Sequence, residues 1–141
     1  MNLTSLINDN ITEILTLLIE FTQARQKILI QNITNSHIQG FVPKELDVNE
    51  FSNLLNFAID EHIRTNRLVL YDTKNIKFGS DGDFSFTSIE DQCGKVLMED
   101  NIDEYFESQI KKLWENSLNQ KVAAELLKLK QKPFTVNYYE Q

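Results

Sequence analysis

The first 35 residues carry an apolar pattern that is typical of the seam of a coiled coil. The seam residues advance by alternating steps of four and three, and they are Ile7, Ile11, Ile14, Leu18, Phe21, Arg25, Ile28, Asn32 and Asn35. This spacing is narrower than the apolar face of an ordinary surface helix. The seam ends in amides, and a buried Asn fixes register because it must pair with another amide or a backbone group. The pattern predicts a helix over residues 1–35 that packs against another helix.

The helical pattern stops after Asn35. Gly40 can take a positive φ, and Pro43 favours an extended conformation at the residue before it. These residues predict a turn over 36–46. Helical spacing returns over 47–64, with Asp47 or Asn49 as the capping residue. The apolar face of this second helix consists of Phe51, Leu54, Leu55, Ala58, Ile59 and Ile63.

The segment 65–98 has a different character. Residues 67–71 and 76–78 are short β-prone runs, and residues 83–87 alternate polar and aromatic side chains. Residues 79–82 read Gly-Ser-Asp-Gly, which favours a tight turn between strands. We expect a small β-hairpin within an otherwise irregular insert, with Gly94 breaking the pattern near its end.

The last predicted helix spans residues 101–132, and Pro133 ends it before a tail over 133–141. Acidic Asp103 and Glu104 suit the positive end of its dipole. Apolar residues recur every four positions, at Phe106, Ile110, Trp114, Leu118, Val122 and Leu126, and are joined by Leu113, Leu127 and Leu129. A period of four drifts around a helix, so we expect this band to touch both the N-terminal helix and other subunits.

These patterns together predict a single, mainly α domain of 141 residues. Its N- and C-terminal helices form an antiparallel, coiled-coil-like pair, with a short middle helix and a small β-hairpin insert.

The acidic composition bears on the kind of partner. A net charge of −7 argues against nucleic acid and against an anionic bilayer, because both select clustered Lys and Arg. The most apolar N-terminal run, residues 14–19, is short and lies between Glu13 and Glu20, so we expect neither a cleaved signal peptide nor direct membrane insertion. The partner is therefore expected to be protein.

No set of residues predicts catalysis or metal binding. The two histidines, His37 and His62, and the single thiol, Cys93, form no ligand spacing. The Gly79–Gly82 turn lacks the Lys-Ser or Lys-Thr ending of a phosphate loop. We expect no catalytic, cofactor or metal site, and no enzyme activity.

Two short motifs carry a family resemblance. Asn32-Ile33-Thr34-Asn35, followed by Ile38-Gln39-Gly40-Phe41, resembles the Asn-Ile-Ala-Asn element and the Thr-Pro-Gly-Tyr or Thr-Pro-Gly-Phe turn of the flagellar rod and hook family. Thr34 replaces the Ala, and Ile38-Gln39 replaces the Thr-Pro. Residues 44–47, 51–55, 115–118 and 122–127 also resemble proximal rod members of that family.

The resemblance implies a structural subunit of the proximal rod, which assembles into a helical tube and transmits torque. Implied partners are further copies of the chain, other flagellar rod proteins, the membrane-ring adaptor and the flagellar export apparatus. The location would be the basal body in the periplasmic space, reached without a cleaved signal peptide. A soluble helical adaptor or secretion chaperone is the alternative, since it shares the acidic charge and amphipathic helices without needing the Asn-Ile-x-Asn turn.

The expected assembly-interface residues come from both terminal helices and the turn. They are Ile14, Leu18, Phe21, Arg25, Ile28, Asn32, Ile33, Asn35, Gly40, Phe41, Ile110, Leu113, Trp114, Asn116, Leu118, Val122 and Leu126.

Overall fold

The computed structural model describes residues 3–79 and 83–131, with side chains of the first helix described from Asn10 onwards. The elements in chain order are α1 (Leu3–Thr34), β1 (Lys44–Glu45), α2 (Val48–Thr65), β2 (Ile76–Phe78), β3 (Phe84–Phe86), β4 (Ile89–Glu90), α3 (Gln92–Asp100) and α4 (Ile102–Gln131). The tail over 133–141 and the side chain of Ile7 lie outside the described residues.

The first and last helices, α1 and α4, pack side by side and run antiparallel. Thr22 of α1 is bonded to Asn116, and Asn32, further along α1, is bonded to Gln109, which lies earlier in α4. Contacts that advance along one helix therefore retreat along the other. This confirms the predicted mainly α fold with paired terminal helices.

Helix α2 begins and ends close to its predicted bounds. The Asp47 carboxylate accepts the Glu50 N–H at 3.0 Å, and Asn66 ends the helix in the left-handed region at φ 60°. Phe51 and Leu54 are buried against α1 in the main apolar core. The Phe51 ring stacks on Phe21 with centroids 3.8 Å apart, and Phe86 packs edge-on against Phe21 at 5.4 Å.

The predicted small β-hairpin is confirmed. Strand β2 pairs antiparallel with β3, with Ile76 opposite Phe86. The β-prone run over 67–71 forms no strand, and its Leu70 packs against the apolar core instead of joining a ladder. β-branched and aliphatic runs favour buried surfaces in general, so propensity alone did not separate the two outcomes. Residues 80–82 of the predicted turn lie outside the described residues.

Helix α3 corrects the expectation that Gly94 breaks the chain's regularity. The Asp91 carboxylate caps this helix by accepting the Gly94 N–H at 2.9 Å. Gly94 is buried, and a Cβ at that position would collide with the same carboxylate. The glycine therefore lets the cap close over the first turn of α3 instead of ending a helix.

Strands β1 and β4 form a second two-stranded sheet, with two residues in each strand. The sequence patterns did not predict this sheet. Lys44 lies opposite Glu90 and Glu45 opposite Ile89, and the Asp91 N–H donates to the Pro43 carbonyl at 2.9 Å. This sheet fixes the chain that leaves α1 to the chain that enters α3.

The hairpin covers part of a polar strip of α1 that comprises Thr12, Glu13, Thr16, Glu20 and Gln23. A polar strip on one face of a helix usually indicates a solvated surface. Thr12, Thr16 and Glu20 are instead half-buried, and a cleft between α1 and the hairpin is lined by Thr16, Glu20, Leu70, Phe78 and Phe84. Burial, together with the nearby Asp83 carboxylate, raises the pKa of Glu20 above its ordinary value.

Candidate assembly interface

Asn32 is the centre of a buried hydrogen-bond network that joins α1, the following turn and α4. Its amide N–H groups donate to the Lys44 carbonyl at 2.7 Å and to the Gln109 side-chain oxygen at 3.0 Å. Its amide oxygen accepts the Lys44 N–H at 3.0 Å. Asn32 is 2% exposed, so these bonds satisfy an amide that has no access to bulk water. The predicted pairing of this seam amide occurs within one chain.

Two further polar contacts extend the network along α4. The Tyr105 hydroxyl donates to the Asn32 carbonyl at 2.8 Å, and the Asn116 amide donates to the Thr22 carbonyl at 2.7 Å. Burial, with a smaller contribution from Asp91, raises the pKa of Tyr105 to about 12. Tyr105 therefore stays a neutral donor at physiological pH, and it fixes α4 against the end of α1.

Four charged side chains, alternately positive and negative, lie beside this hydrogen-bond network. Arg25 of α1 makes two hydrogen bonds with the Glu45 carboxylate, at 3.1 and 3.0 Å. The Lys112 ammonium lies 3.7 Å from Glu45 and 3.6 Å from Asp91. Bidentate Arg–carboxylate pairs are geometrically specific, so Arg25 sets where β1 lies on α1. We name Arg25, Asn32, Glu45, Asp91, Tyr105, Gln109 and Lys112 the polar junction.

The turn after α1 has the geometry that Gly40 was expected to allow. Gly40 has φ 81°, and the Phe41 N–H donates to the Ile38 carbonyl at 3.1 Å. Gly40 is exposed, whereas Ile33, Asn35 and Phe41 are half-buried. The turn is thereby fixed beside the polar junction.

The predicted seam of α1 is divided between two neighbours. Phe21 is in the apolar core beneath α2 and the hairpin, with Leu18 and Ile28 packed against that core. Ile14 is buried, and Arg25 is bonded to β1. Asn32 is the seam residue whose side chain bonds directly to α4. The α1 interface candidates are thus largely used inside the chain.

The α4 candidates fall on two faces. Asn116 is buried and Leu113 half-buried on the face toward α1. The other candidates form an exposed apolar row together with Leu129, and we name this row the α4 stripe. It comprises Ile110, Trp114, Leu118, Val122, Leu126 and Leu129. Trp114 is the most exposed member at 68%. An apolar row of this length on one side of a helix is typical of an interaction surface.

Sequence reasoning missed the α4 members of the polar junction, Tyr105, Gln109 and Lys112, although it included the neighbouring seam residue Asn116. Tyr105, Gln109, Lys112 and Asn116 follow steps of four, three and four, which is the same heptad spacing found in α1. The apolar period of four drew attention to the opposite face. A search for heptad spacing that admits polar residues would have found this seam, whereas Glu45 and Asp91 have no local signal.

The remaining reactive side chains have local structural roles. His37 is exposed in the turn, and the His62 ring is bonded to the Asn10 amide at 3.2 Å. Within residues 3–79 and 83–131, no three His, Cys, Asp or Glu side chains are grouped as a metal site. In the same ranges no helix has both the length and the apolar character needed to span a bilayer.

Comparison with known proteins identifies no relative: no family model, no curated protein and no solved structure matches this chain.

Proposed function

We propose that this chain is a structural subunit of the bacterial flagellar proximal rod, which assembles with copies of itself and with other rod proteins into a torque-transmitting tube. The observation that carries the proposal is the α4 stripe. It lies on a helix whose opposite face is already fixed to α1 by the polar junction, so the stripe is available for contacts between subunits.

The position of the Asn-Ile-x-Asn motif supports this assignment. Asn32 is the first residue of the motif, and its side chain makes hydrogen bonds to two other parts of the chain. One bond goes to Lys44 after the turn, and the other goes to Gln109 of α4. The motif thus sets the angle at which the chain leaves the helix pair. Subunits that stack side by side need this angle to be fixed, because a small deviation in each subunit adds up along a tube.

A torque-transmitting subunit must also resist sliding of its helices. The bidentate Arg25–Glu45 pair and the buried amide bonds are directional, and displacement of one residue along the helix would leave several buried polar groups unpaired. Apolar side chains alone tolerate such sliding better. The polar junction therefore suits a mechanical role in which neither substrate nor cofactor takes part.

The proposal is tested in the bacterium that encodes the chain. Basal bodies purified from it should contain this protein beside the other rod proteins and the membrane-ring adaptor, as identified by mass spectrometry. Deletion of the gene should abolish rods and swimming, and the plasmid-borne gene should restore both. Swimming cells with complete rods after deletion would refute the proposal.

The same experiment separates the alternative class. A secretion chaperone or adaptor would remain in the cytoplasm in a complex with one exported protein, and it would be absent from washed basal bodies. A rod subunit would instead be exported into the periplasmic space through the flagellar export apparatus and would be retained in the rod.

A further inference from the structure

Charged side chains are arranged symmetrically about Leu118, at the middle of the α4 stripe. Lys111 and Glu125 lie seven residues before and after Leu118, and both are exposed. Seven residues make almost two helical turns, so each lies within about 20° of the direction of Leu118, on opposite sides of it. Glu107 and Lys128 lie further out, eleven residues before and ten residues after Leu118, again with opposite signs and again exposed.

This order of charges discriminates between possible neighbours. If a second α4 lies antiparallel, related by a two-fold axis at Leu118, Lys111 of one copy faces Glu125 of the other. Glu107 then lies opposite Leu129 of the second copy, next to Lys128 in the sequence. A parallel pair would instead place Lys111 against Lys111 and Glu125 against Glu125. Like charges at an interface are unfavourable, so the charge order favours the antiparallel pair.

The centre of the same surface is apolar. Trp114 and Val122 lie about 40° to either side of Leu118 around the helix axis. Their exposed fractions are 68% and 56%, and that of Leu118 is 49%. The two-fold axis places Leu118 against its own copy and Trp114 beside Val122. An apolar centre with a large aromatic residue and a charged border is the usual anatomy of a protein interface.

We propose that the α4 stripe binds a second copy of this chain, with the two α4 helices antiparallel about a two-fold axis at Leu118. A two-fold contact uses the same patch on both partners and closes on itself. The product is a dimer that cannot extend into a tube. In the free protein this dimer covers the stripe, and it must separate before the stripe can contact other subunits. The dimer itself is inferred from α4 alone, whereas the need for it to separate rests on the proposed flagellar role.

The oligomeric state of the purified full chain gives the first test. Sedimentation across micromolar to millimolar concentrations should show reversible dimerisation. Trp114→Glu should abolish the dimer, because it buries a carboxylate at the apolar centre. Ile63→Glu is the matched control, since Ile63 is an exposed apolar residue of α2, and it should leave the dimer intact. Circular dichroism checks that each variant keeps its helix content.

A charge exchange tests the antiparallel order. Lys111→Glu and Glu125→Lys should each weaken the dimer by about tenfold, because each creates two like-charge contacts per dimer. An equimolar mixture of the two variants should recover the native affinity, since both contacts become Glu–Lys in the mixed dimer. Lys74→Glu, an exposed change outside α4, should have no effect.

Three results would overturn the proposal. The first is a native chain that remains monomeric at millimolar concentration. The second is a dimer that withstands Trp114→Glu, which would place the contact on another surface. The third is a mixture of Lys111→Glu and Glu125→Lys that is no tighter than either variant alone, which would exclude the antiparallel order.

Discussion

Helix α1 has two packed faces, and the buried polar contacts lie on the one toward α4. Toward α2 and the hairpin it buries Leu17 and Phe21 in an apolar core, whereas toward α4 it presents Thr22 and Asn32 to buried amides. Apolar contacts contribute free energy roughly in proportion to area and carry little directional information. Buried hydrogen bonds contribute less net stability but are costly to misplace. The first face accordingly stabilises the fold, and the second sets the position of α4 on α1.

The largest effect is expected on the apolar face. Phe51→Ala removes a ring stacked on Phe21 and should lower the free energy of unfolding by about 4 kcal/mol, because it leaves a cavity in the core. Urea unfolding followed by circular dichroism measures this. The exposed Phe57→Ala on the same helix is the matched control and should cost far less. Equal losses in both variants would mean that the aromatic core does not dominate stability.

On the face of α1 toward α4 we expect a smaller loss of stability than on the apolar face. We also expect a larger loss of conformational order, in the position of α4 on α1. Asn32→Leu strands the Lys44 backbone groups and the Gln109 amide, and each buried group left unpaired costs roughly 1 to 3 kcal/mol. We expect a net loss of about 3 kcal/mol. Amide resonances of α4 should broaden, because its position on α1 is no longer fixed.

The control for this variant is Gln23→Leu, which places the same side chain at an exposed position of α1. It should leave both stability and spectra unchanged. Sharp α4 resonances in Asn32→Leu would show that the amides do not determine the position of α4.

The contrast between the two faces also explains what the sequence revealed. The heptad seam of α1 correctly predicted a long helix paired with α4, because apolar periodicity reports which residues are buried. It did not report which neighbour buries them, so Leu18 and Phe21 were not assigned to the core beneath α2. Apart from Asn116, the α4 seam escaped notice because its buried member Gln109 is polar.

Other parts of the fold left no local signal at all. The β1–β4 sheet has two residues per strand, and its strands are more than forty residues apart in sequence, so neither length nor period marks it. The sequence does not indicate helix α3, because a glycine usually disfavours a helix. In the structure the absence of a Gly94 side chain is what admits the Asp91 cap. Both features depend on non-local or atomic-scale packing.

Gly94→Ala tests the close packing beside the polar junction. In most helices this change stabilises by up to about 1 kcal/mol, through higher helix propensity. Here the added Cβ displaces the Asp91 carboxylate from the cap and from Lys112, so we expect a net loss of about 1 kcal/mol. Thermal unfolding decides the sign, and a gain in stability would show that the cap can move without cost.

The smallest effect concerns the cleft between α1 and the hairpin. Because the pKa of Glu20 is raised in the fold, its charged form is disfavoured there at neutral pH. The cost disappears as the pH falls through the folded pKa and Glu20 binds a proton. Glu20→Gln should therefore raise stability at pH 7 by a few tenths of a kcal/mol, as expected of a partly solvated charge.

That gain should shrink to zero in acid, below the ordinary pKa of 4.5. Chemical unfolding at pH 7 and pH 4 gives both values. A gain that is the same at both pH values would exclude the carboxylate charge as its cause.

The polar junction is enclosed within the chain, whereas the α4 stripe is exposed and is proposed to contact other subunits. Rod completion in living cells tests this proposed role of the stripe most directly. We would image basal bodies by electron cryotomography in cells whose only copy of the gene carries Trp114→Glu, with Ile63→Glu as the matched exposed substitution. Stripe contacts between subunits predict rods that stop short in Trp114→Glu cells and complete rods in Ile63→Glu cells. Complete rods and normal swimming in Trp114→Glu cells would contradict the assignment of the stripe to assembly.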